Sequence, residues 1–236
     1  MDLKQQKKQN AYIKYTPRKF DVYIIESPSP KDLLFGDSEG ESLSKTLRLS
    51  RISSHNHLVI DKKTFYFVFK EGLITYFKYN NITPIIHISA HGNKRGIQLS
   101  NGDIVSWQEL RNILKPINKV LKGNLLLCMS TCEGLSACTM AMGDDDFPFL
   151  RIISNTSKPT WSETNIAFST FYHLYSRGEK LRNAVYAMRK ASGNRYFRQV
   201  GAEIARKIYL EYIASKPAIK TIQQLAPQQT SKANNK

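Results

Sequence analysis

Two short segments of this chain end in the same way, with an apolar run that leads into a reactive side chain and a nearby glycine. In the first, Ile85–Ala90 is followed by His91 and Gly92; in the second, Leu125–Thr131 is followed by Cys132 and, two residues later, Gly134. Runs this short and this rich in Ile or Leu are typical of buried strands in a parallel sheet. Functional groups of such sheets gather beyond the carboxyl ends of the strands. If these two strands are neighbours, His91 and Cys132 meet at one edge of the sheet.

A thiol beside an imidazole is a nucleophile–base pair. The sequence therefore predicts Cys132 as a nucleophile and His91 as its acid/base, with the backbone N–H groups of Gly92 and Cys132 as oxyanion donors. A helix predicted from about Leu135 would place its positive end near Cys132 and favour the thiolate. His87 and Cys128 lie in the middle of the same two segments, and we interpret them as core residues.

Length and composition restrict the class of protein. The chain has 236 residues, 41% of them hydrophobic, which suffices for one α/β domain with a real core. No apolar run approaches the roughly 18–20 residues of a membrane span, and the polar N-terminus is unlike a secretory signal. We therefore expect a cytoplasmic protein. The three clustered cysteines suit neither a disulfide framework nor a zinc site, so we expect no metal.

The alternation of strand and helix patterns predicts an α/β fold with a mostly parallel sheet and helices on both faces. We expect a flexible basic arm at 1–17, one domain at 18–215 and a polar, disordered tail at 216–236. The patterns predict further strands at 20–25, 58–60 and 149–154, an Asn-Gly hairpin at 96–105, and helices at 42–49, 61–80, 106–114, 135–142, 163–175, 180–191 and 197–214.

The net charge of +16 allows attraction to nucleic acid, anionic lipid or an acidic protein. The basic residues are spread along the chain, however, and no recognisable DNA or RNA motif accompanies the cluster at 195–198. A basic surface without a dedicated ligand explains the charge equally well. Nucleic acid stays a candidate partner that the sequence neither requires nor excludes.

At these residues the chain resembles the caspase-like cysteine peptidases of clan CD, and within them the CHAT-domain branch. The resemblance extends over about residues 20–192. It rests on Ile88–Gly92, the hairpin Gly96–Val105 with the helix that follows it, Leu125–Gly134, and Ile152–Ser154 with Pro159–Glu163. It implies a caspase-like three-layer sandwich and a His91–Cys132 dyad. It also implies cleavage of a protein substrate by a cysteine endopeptidase that needs no metal or organic cofactor.

Members of the CHAT branch are often fused to repeat or sensor domains, and we recognise none in this sequence. The resemblance therefore implies a separate activator or sensor protein. Bacterial members commonly act in antiphage defence or programmed cell death, so the resemblance also implies a role of that kind. Gly134 follows Cys132 by two residues, as in caspases.

Acidic residues near the dyad could bind a basic residue of the substrate. Glu163 is the first candidate because it matches the acidic residue after the family's tryptophan, and Asp103 is the second. A solvated loop is the simpler interpretation of Asp144–Asp146. Two functions of other classes remain: a catalytically silent caspase-like scaffold that binds a partner, and a basic nucleic-acid-binding module.

Overall fold

The computed structural model describes residues 16–80, 82–143 and 145–215. The predicted arm at 1–17, apart from its last two residues, and the predicted tail at 216–236 lie outside the described residues. Among the described residues, none of the helices combines the length and the apolar character that a membrane span requires.

Eight strands form one sheet. They are β1 (Asp21–Ser27), β2 (Ser54–Leu58), β3 (Pro84–Asn93), β4 (Gly96–Gln98), β5 (Ile104–Ser106), β6 (Leu126–Ser130), β7 (Arg151–Asn155) and β8 (Phe197–Gly201). The main order is β2-β1-β3-β6-β7-β8, with β4 and β5 attached as a hairpin to the end of β3. Pairing is parallel from β2 through β7 and antiparallel between β7 and β8. The central strands of this path are nearly continuous runs of buried residues, as expected for strands that are covered on both faces.

Helices cover both faces of the sheet. They are α1 (Pro30–Phe35), α2 (Glu39–Leu49), α3 (Lys62–Phe67), α4 (Leu73–Tyr79), α5 (Trp107–Val120), α6 (Trp161–Ser176), α7 (Leu181–Ser192) and α8 (Ala202–Ser215), with a π-helical turn at Val68–Gly72 and a 3₁₀ helix at Gly134–Ala141. One core joins the sheet to α3 through α5, the 3₁₀ helix and α8, and the other joins it to α2, α6 and α7. The expected three-layer α/β sandwich with a mostly parallel sheet is therefore confirmed.

The ends of the helices follow from local hydrogen bonding. Ser106 and Glu109 form the capping box that the sequence predicts, with reciprocal side-chain-to-backbone hydrogen bonds at the start of α5. Thr160 and Glu163 form another at the start of α6. Pro116 lies inside α5 without ending it. The helix therefore runs to Val120, six residues past its predicted end.

Three local predictions need correction. Residues 197–201, predicted as the start of a helix, form strand β8, because pairing with β7 satisfies their backbone groups. The second strand occupies Ser54–Leu58 instead of 58–60. The hairpin closes through a five-residue loop in which the Leu99 N–H donates to the Asp103 carbonyl, so Asn101-Gly102 is not a two-residue turn.

Candidate active site

His91 and Cys132 lie at the same edge of the sheet. Strands β3 and β6 are parallel neighbours in which Ser89 is the register partner of Ser130. His91 and Cys132 each follow that pair by two residues. The topology thus brings the two residues to the carboxyl ends of adjacent strands, which is where ligands of such sheets bind.

Two glycines let the segments around the dyad approach each other closely. A Cβ atom at Gly92 would lie 3.2 Å from Thr131 Cβ and 3.3 Å from the Cys132 carbonyl oxygen. A Cβ atom at Gly134 would lie 2.1 Å from Thr131 Oγ1 and 2.4 Å from Ser154 Oγ, which no real side chain tolerates. These contacts explain why a glycine stands near each reactive residue.

The turn that carries Cys132 is held by its own backbone. Glu133 adopts a left-handed conformation with φ of 52°, and its N–H donates to the Ser157 carbonyl oxygen at 2.8 Å. The Gly134 N–H donates to the Thr131 carbonyl oxygen. Within the described part of the chain, the Cys132 N–H has no backbone acceptor. This N–H is therefore free to donate to an oxyanion.

A carboxylate holds the imidazole of His91. The Nε2 atom of His91 lies 2.7 Å from Asp32 Oδ2. The His91 ring meets the Trp161 ring edge-on, with 5.3 Å between the two ring centroids. The His91 side chain is 40% exposed and that of Asp32 16% exposed. The imidazole is thus fixed on one side and accessible on the other.

Asp32 also belongs to the capping box of α1, in which its carboxylate accepts hydrogen bonds from the Ser29 N–H and hydroxyl. Burial acts to raise the pKa of Asp32, but the hydrogen bonds from Ser29 and His91 outweigh it and lower that pKa to about 2. An ionised carboxylate can only accept, so Nε2 of His91 carries the proton toward Asp32. Nδ1 is left unprotonated in the neutral ring and can act as the base.

The thiol of Cys132 is not activated by its surroundings. Burial raises its pKa; Lys158 acts to lower the pKa, and Glu133 acts to raise it further. The sequence predicted the opposite, a thiolate favoured by a following helix. The segment at 134–141 is a 3₁₀ helix that begins two residues after Cys132, and burial is the largest influence on the pKa of the thiol.

A second histidine–cysteine pair lies deeper in the same two strands. His87 and Cys128 are register partners, and both are completely buried. Nδ1 of His87 is 2.9 Å from the Tyr172 hydroxyl, and Nε2 is 3.0 Å from Ser130 Oγ. Burial raises the pKa of Cys128 to about 12. The structure is consistent with the interpretation of both as core residues.

The candidate substrate-binding residues have other partners. Both oxygens of Glu163 accept hydrogen bonds, one from the cap of α6 at Thr160 and the other from Asn194. Asp103 accepts from Asn101, in a loop that contacts Ile60 beyond β2. This loop begins at Leu99, directly after Gln98, the register partner of His91 on β4.

The acidic loop predicted as solvated is only partly described, because Asp144 lies outside the described residues. The Asp145 carboxylate pairs with Arg111 and Lys115. Its contacts thus join the loop to α5. In the described ranges, no group of three His, Cys, Asp or Glu residues could hold a metal ion.

Asp32 was missed by the sequence reasoning. A local signal existed, because Ser29-Pro30-Lys31-Asp32 has the S-x-x-D form of a capping box. That signal predicts the helix start and not the contact with His91, which is 59 residues away along the chain. Only the sheet topology, with β1 beside β3, brings the two together.

Comparison with known proteins identifies the architecture. No family model matches the sequence, and no curated protein matches it either. Among solved structures, the Drosophila initiator caspase Dronc is similar, with a TM-score of 0.50 over 82% of this chain and 85% of that chain, at 10% sequence identity. The chain has a caspase-like fold. At this identity the similarity concerns the fold and not the chemistry of the site.

Proposed function

We propose that this caspase-like protein is a cysteine endopeptidase in which His91 and Cys132 form the catalytic dyad. The observation that carries the proposal is their placement at the carboxyl ends of neighbouring parallel strands, with the imidazole of His91 held by Asp32 at 2.7 Å. A structural histidine would not need an ionised partner at a half-exposed edge of the sheet, whereas a general base benefits from one.

In the first half of the reaction, Nδ1 of His91 takes the proton of the Cys132 thiol, and the thiolate attacks the carbonyl carbon of the scissile peptide bond. The carbonyl oxygen becomes an oxyanion that accepts the free Cys132 N–H and, in this proposal, the Gly92 N–H. His91 then returns the proton to the leaving amine, and a thioester remains on Cys132. Asp32 stabilises the imidazolium while the proton resides there.

In the second half, His91 removes a proton from water, and the resulting hydroxide attacks the thioester carbonyl. The tetrahedral intermediate collapses with release of the carboxylic acid, and the proton returns to the Cys132 sulfur. The roles of His91 are symmetrical in the two halves, so one imidazole with one fixed tautomer serves both. No metal ion or organic cofactor takes part in these steps.

We further propose that a separate activator or sensor protein raises the activity of this chain, as the resemblance to the CHAT branch implies. The raised pKa of Cys132 supports this, because a thiol that stays protonated at neutral pH reacts slowly. An activator could lower that pKa by displacing Glu133 or by bringing Lys158 closer. A cytoplasmic role in antiphage defence or programmed cell death belongs to the same proposal.

The test is digestion of a proteome-derived peptide library, read by mass spectrometry, with the wild type beside Cys132→Ala and His91→Ala. Cys128→Ala is the matched control, since it removes the thiol that lies four residues earlier, inside β6. Cleavage by the wild type and by Cys128→Ala alone is the expected result. Cleavage that survives Cys132→Ala would contradict the proposal, and failure of all four proteins to cleave would leave either a dormant enzyme that awaits its activator or the silent scaffold.

A further inference from the structure

A strongly basic stretch of the chain lies at the edge of the sheet that β8 forms. Residues 180–202 include α7 and β8, and they contain six basic residues and no acidic one: Lys180, Arg182, Arg189, Lys190, Arg195 and Arg198. Within the described ranges, none of these six side chains pairs with a carboxylate. Together with Tyr186 and Tyr196 they form what we call the α7–β8 surface. Since β8 is the last strand of the main sheet order, this surface lies at the side of the molecule.

Two arginines of the α7–β8 surface meet at one carbonyl group. Nε of Arg189 donates to the Phe197 carbonyl oxygen at 2.7 Å, and Nη1 of Arg198 donates to the same oxygen at 2.9 Å. Burial lowers the pKa of Arg189, and the charge of Arg198 lowers it further. Charges that are partly buried in proteins are normally paired with an opposite charge. Two guanidinium groups that share one acceptor therefore favour a bound anion.

The remaining donors of these two arginines are available to such an anion. In the part of the chain that the structure describes, Arg189 bonds to protein acceptors through Nε alone and Arg198 through Nη1 alone. A guanidinium group carries five N–H donors in a planar fork that matches the oxygens of a phosphate. Nη1 of Arg198 also donates to the Arg195 carbonyl, which keeps the 195–198 segment beside Arg189.

An open groove extends the surface between α7 and β8. Its volume is about 390 Å³, and its lining consists of Arg182, Asn183, Val185, Tyr186, Arg189 and Gln199. Arg182, Tyr186 and Arg189 follow one another at spacings of four and three residues, so they lie on one face of the helix. The seven residues between the two arginines correspond to about 10 Å along the helix axis. The groove thus has positive charge at two points with an aromatic ring between them.

The exposed tyrosines indicate which kind of polyanion fits. The Tyr186 side chain is 57% exposed and that of Tyr196 is 41% exposed. Lys190 Nζ lies 5.7 Å from the centroid of the Tyr186 ring, and Arg195 Cζ lies 5.2 Å from that of Tyr196. Proteins that bind single-stranded nucleic acid combine such rings, on which bases stack, with cations that contact phosphates. An acidic peptide would engage the cations alone, and a duplex keeps its bases stacked on each other.

We propose that the α7–β8 surface binds single-stranded nucleic acid, with phosphates held by Arg182, Arg189 and Arg198 and with bases stacked on Tyr186 and Tyr196. The net charge of +16 did not require this ligand, because the basic residues are spread along the sequence. The fold collects the cations of α7 and of the 195–198 segment at one edge. The proposal does not depend on the peptidase function, since β7 separates β8 from β6.

Binding is measured on the full chain by fluorescence anisotropy. The probe is a fluorescein-labelled oligodeoxythymidylate of about 12 nucleotides, a length within the usual size of a single-strand site. We expect the logarithm of the binding constant to fall with the logarithm of the salt concentration with a slope of about −2 or steeper, because each phosphate contact contributes about −0.7.

The decisive variant replaces Arg182, Arg189 and Arg198 together by glutamine. It should weaken binding at least about tenfold at 0.1 M salt and flatten the slope by about 2, since three phosphate contacts are lost. The matched control replaces Lys78, Lys119 and Lys122 by glutamine. These exposed lysines belong to the opposite helix layer, and Lys78 lies beside the exposed ring of Tyr79. The control should change the dissociation constant by less than about twofold.

The stacking part of the proposal has its own variants. Tyr186→Ala and Tyr196→Ala should each weaken binding about fivefold or more and leave the salt slope unchanged, because stacking releases no counter-ions. Tyr79→Ala is the control, and it should bind like the wild type. Should the triple arginine variant fail to fold, Arg182→Gln alone serves, since this exposed residue lies on the helix surface. It should flatten the slope by about 0.7.

Four results would overturn the proposal. The first is absence of binding at low salt. The second is equal weakening by the arginine and lysine triples, which would show diffuse attraction to the whole protein. The third is equally tight binding of a duplex of the same length. The fourth is competition by polyglutamate as effective as that of unlabelled oligothymidylate, which would assign the surface to an acidic protein partner.

Discussion

Strands β3 and β6, with the turn that follows β6, carry two histidine–cysteine pairs, and only one of them lies at a solvent-accessible end of the sheet. His87 and Cys128 are register partners in the interior of the sheet. His91 follows His87 by four residues, and Cys132 follows Cys128 by four residues. His87 has both nitrogens bonded, and burial raises the pKa of Cys128 to about 12. His91 has one nitrogen on Asp32, and its ring is half exposed.

The difference shows that position, and not residue type, separates the proposed nucleophile from a core residue. The interior pair, His87 and Cys128, lies where packed helices cover its face of the sheet. Both ring nitrogens of His87 have side-chain partners there. The edge pair lies where the strands end, so that a turn leaves the Cys132 N–H unpaired and a substrate can approach. The interior pair is therefore a built-in control for every test of the edge pair.

The largest expected effect is on cleavage. Cys132→Ala should reduce kcat/KM by at least about 10⁴-fold, because removal of a nucleophile leaves only binding and oxyanion stabilisation. Cys128→Ala should change kcat/KM by less than about threefold, although it costs about 1–2 kcal/mol of stability through the small cavity that it leaves. Peptidase assays and denaturant unfolding of the two variants measure both effects. An equal loss of activity in Cys132→Ala and Cys128→Ala would contradict the distinction between the two histidine–cysteine pairs.

The next effect is on the reactivity of the thiols. Iodoacetamide should alkylate Cys132 at least about 10³-fold faster than Cys128, because Cys128 is reached only when the protein opens. Burial raises the pKa of Cys132, so its alkylation rate should keep rising with pH beyond the value of about 8.5 that is usual for a free thiol. Peptide mapping at a series of pH values gives both rates. A rate for Cys132 that is constant above pH 7 would show a thiolate already formed.

The sequence suffices to predict much of this comparison. The two apolar runs that end near His91 and Cys132 predict neighbouring parallel strands, and their mid-strand positions identify His87 and Cys128 as core residues. The alternation of elements predicts the layered α/β fold because each element buries its own apolar side. All of this information is local in the chain.

What the sequence does not predict depends on distant contacts. The Asp32–His91 contact joins residues 59 positions apart, and Glu39 reaches Ser130 across 91 positions. The segment of β8 was predicted as helix from its helical pattern. It forms a strand because its pairing with β7 outweighs that pattern. The pKa of Cys132 was predicted in the wrong direction, because the extent of its burial is a property of the packed site.

A moderate effect is expected on the chemical step when the partner of His91 is changed. Asp32→Asn should lower kcat by about 10²-fold, since the imidazolium loses its counter-charge. KM should stay within about twofold, because Asp32 contacts His91 and not the substrate in this arrangement. Asp37→Asn is the control, as it neutralises an exposed carboxylate in the same acidic segment. A rise in KM with kcat unchanged would assign Asp32 to substrate binding instead.

The smallest effect is on stability, and it depends on pH. The pKa of Asp32 in the folded protein is about 2, below the value of about 3.9 in an unfolded chain. Its contribution to stability is therefore fully present above about pH 4 and is lost as the pH falls through 2. Asp32→Asn should cost about 1–2 kcal/mol at pH 7, less than the full shift would give, because part of the carboxylate is exposed to solvent. The wild type and the variant should converge near pH 2 in denaturant unfolding, while Asp37→Asn should follow the wild type throughout. A difference of the same size at every pH would show that Asp32 acts through packing and not through its charge, and the edge pair would then lack the charged partner that separates it from the interior pair.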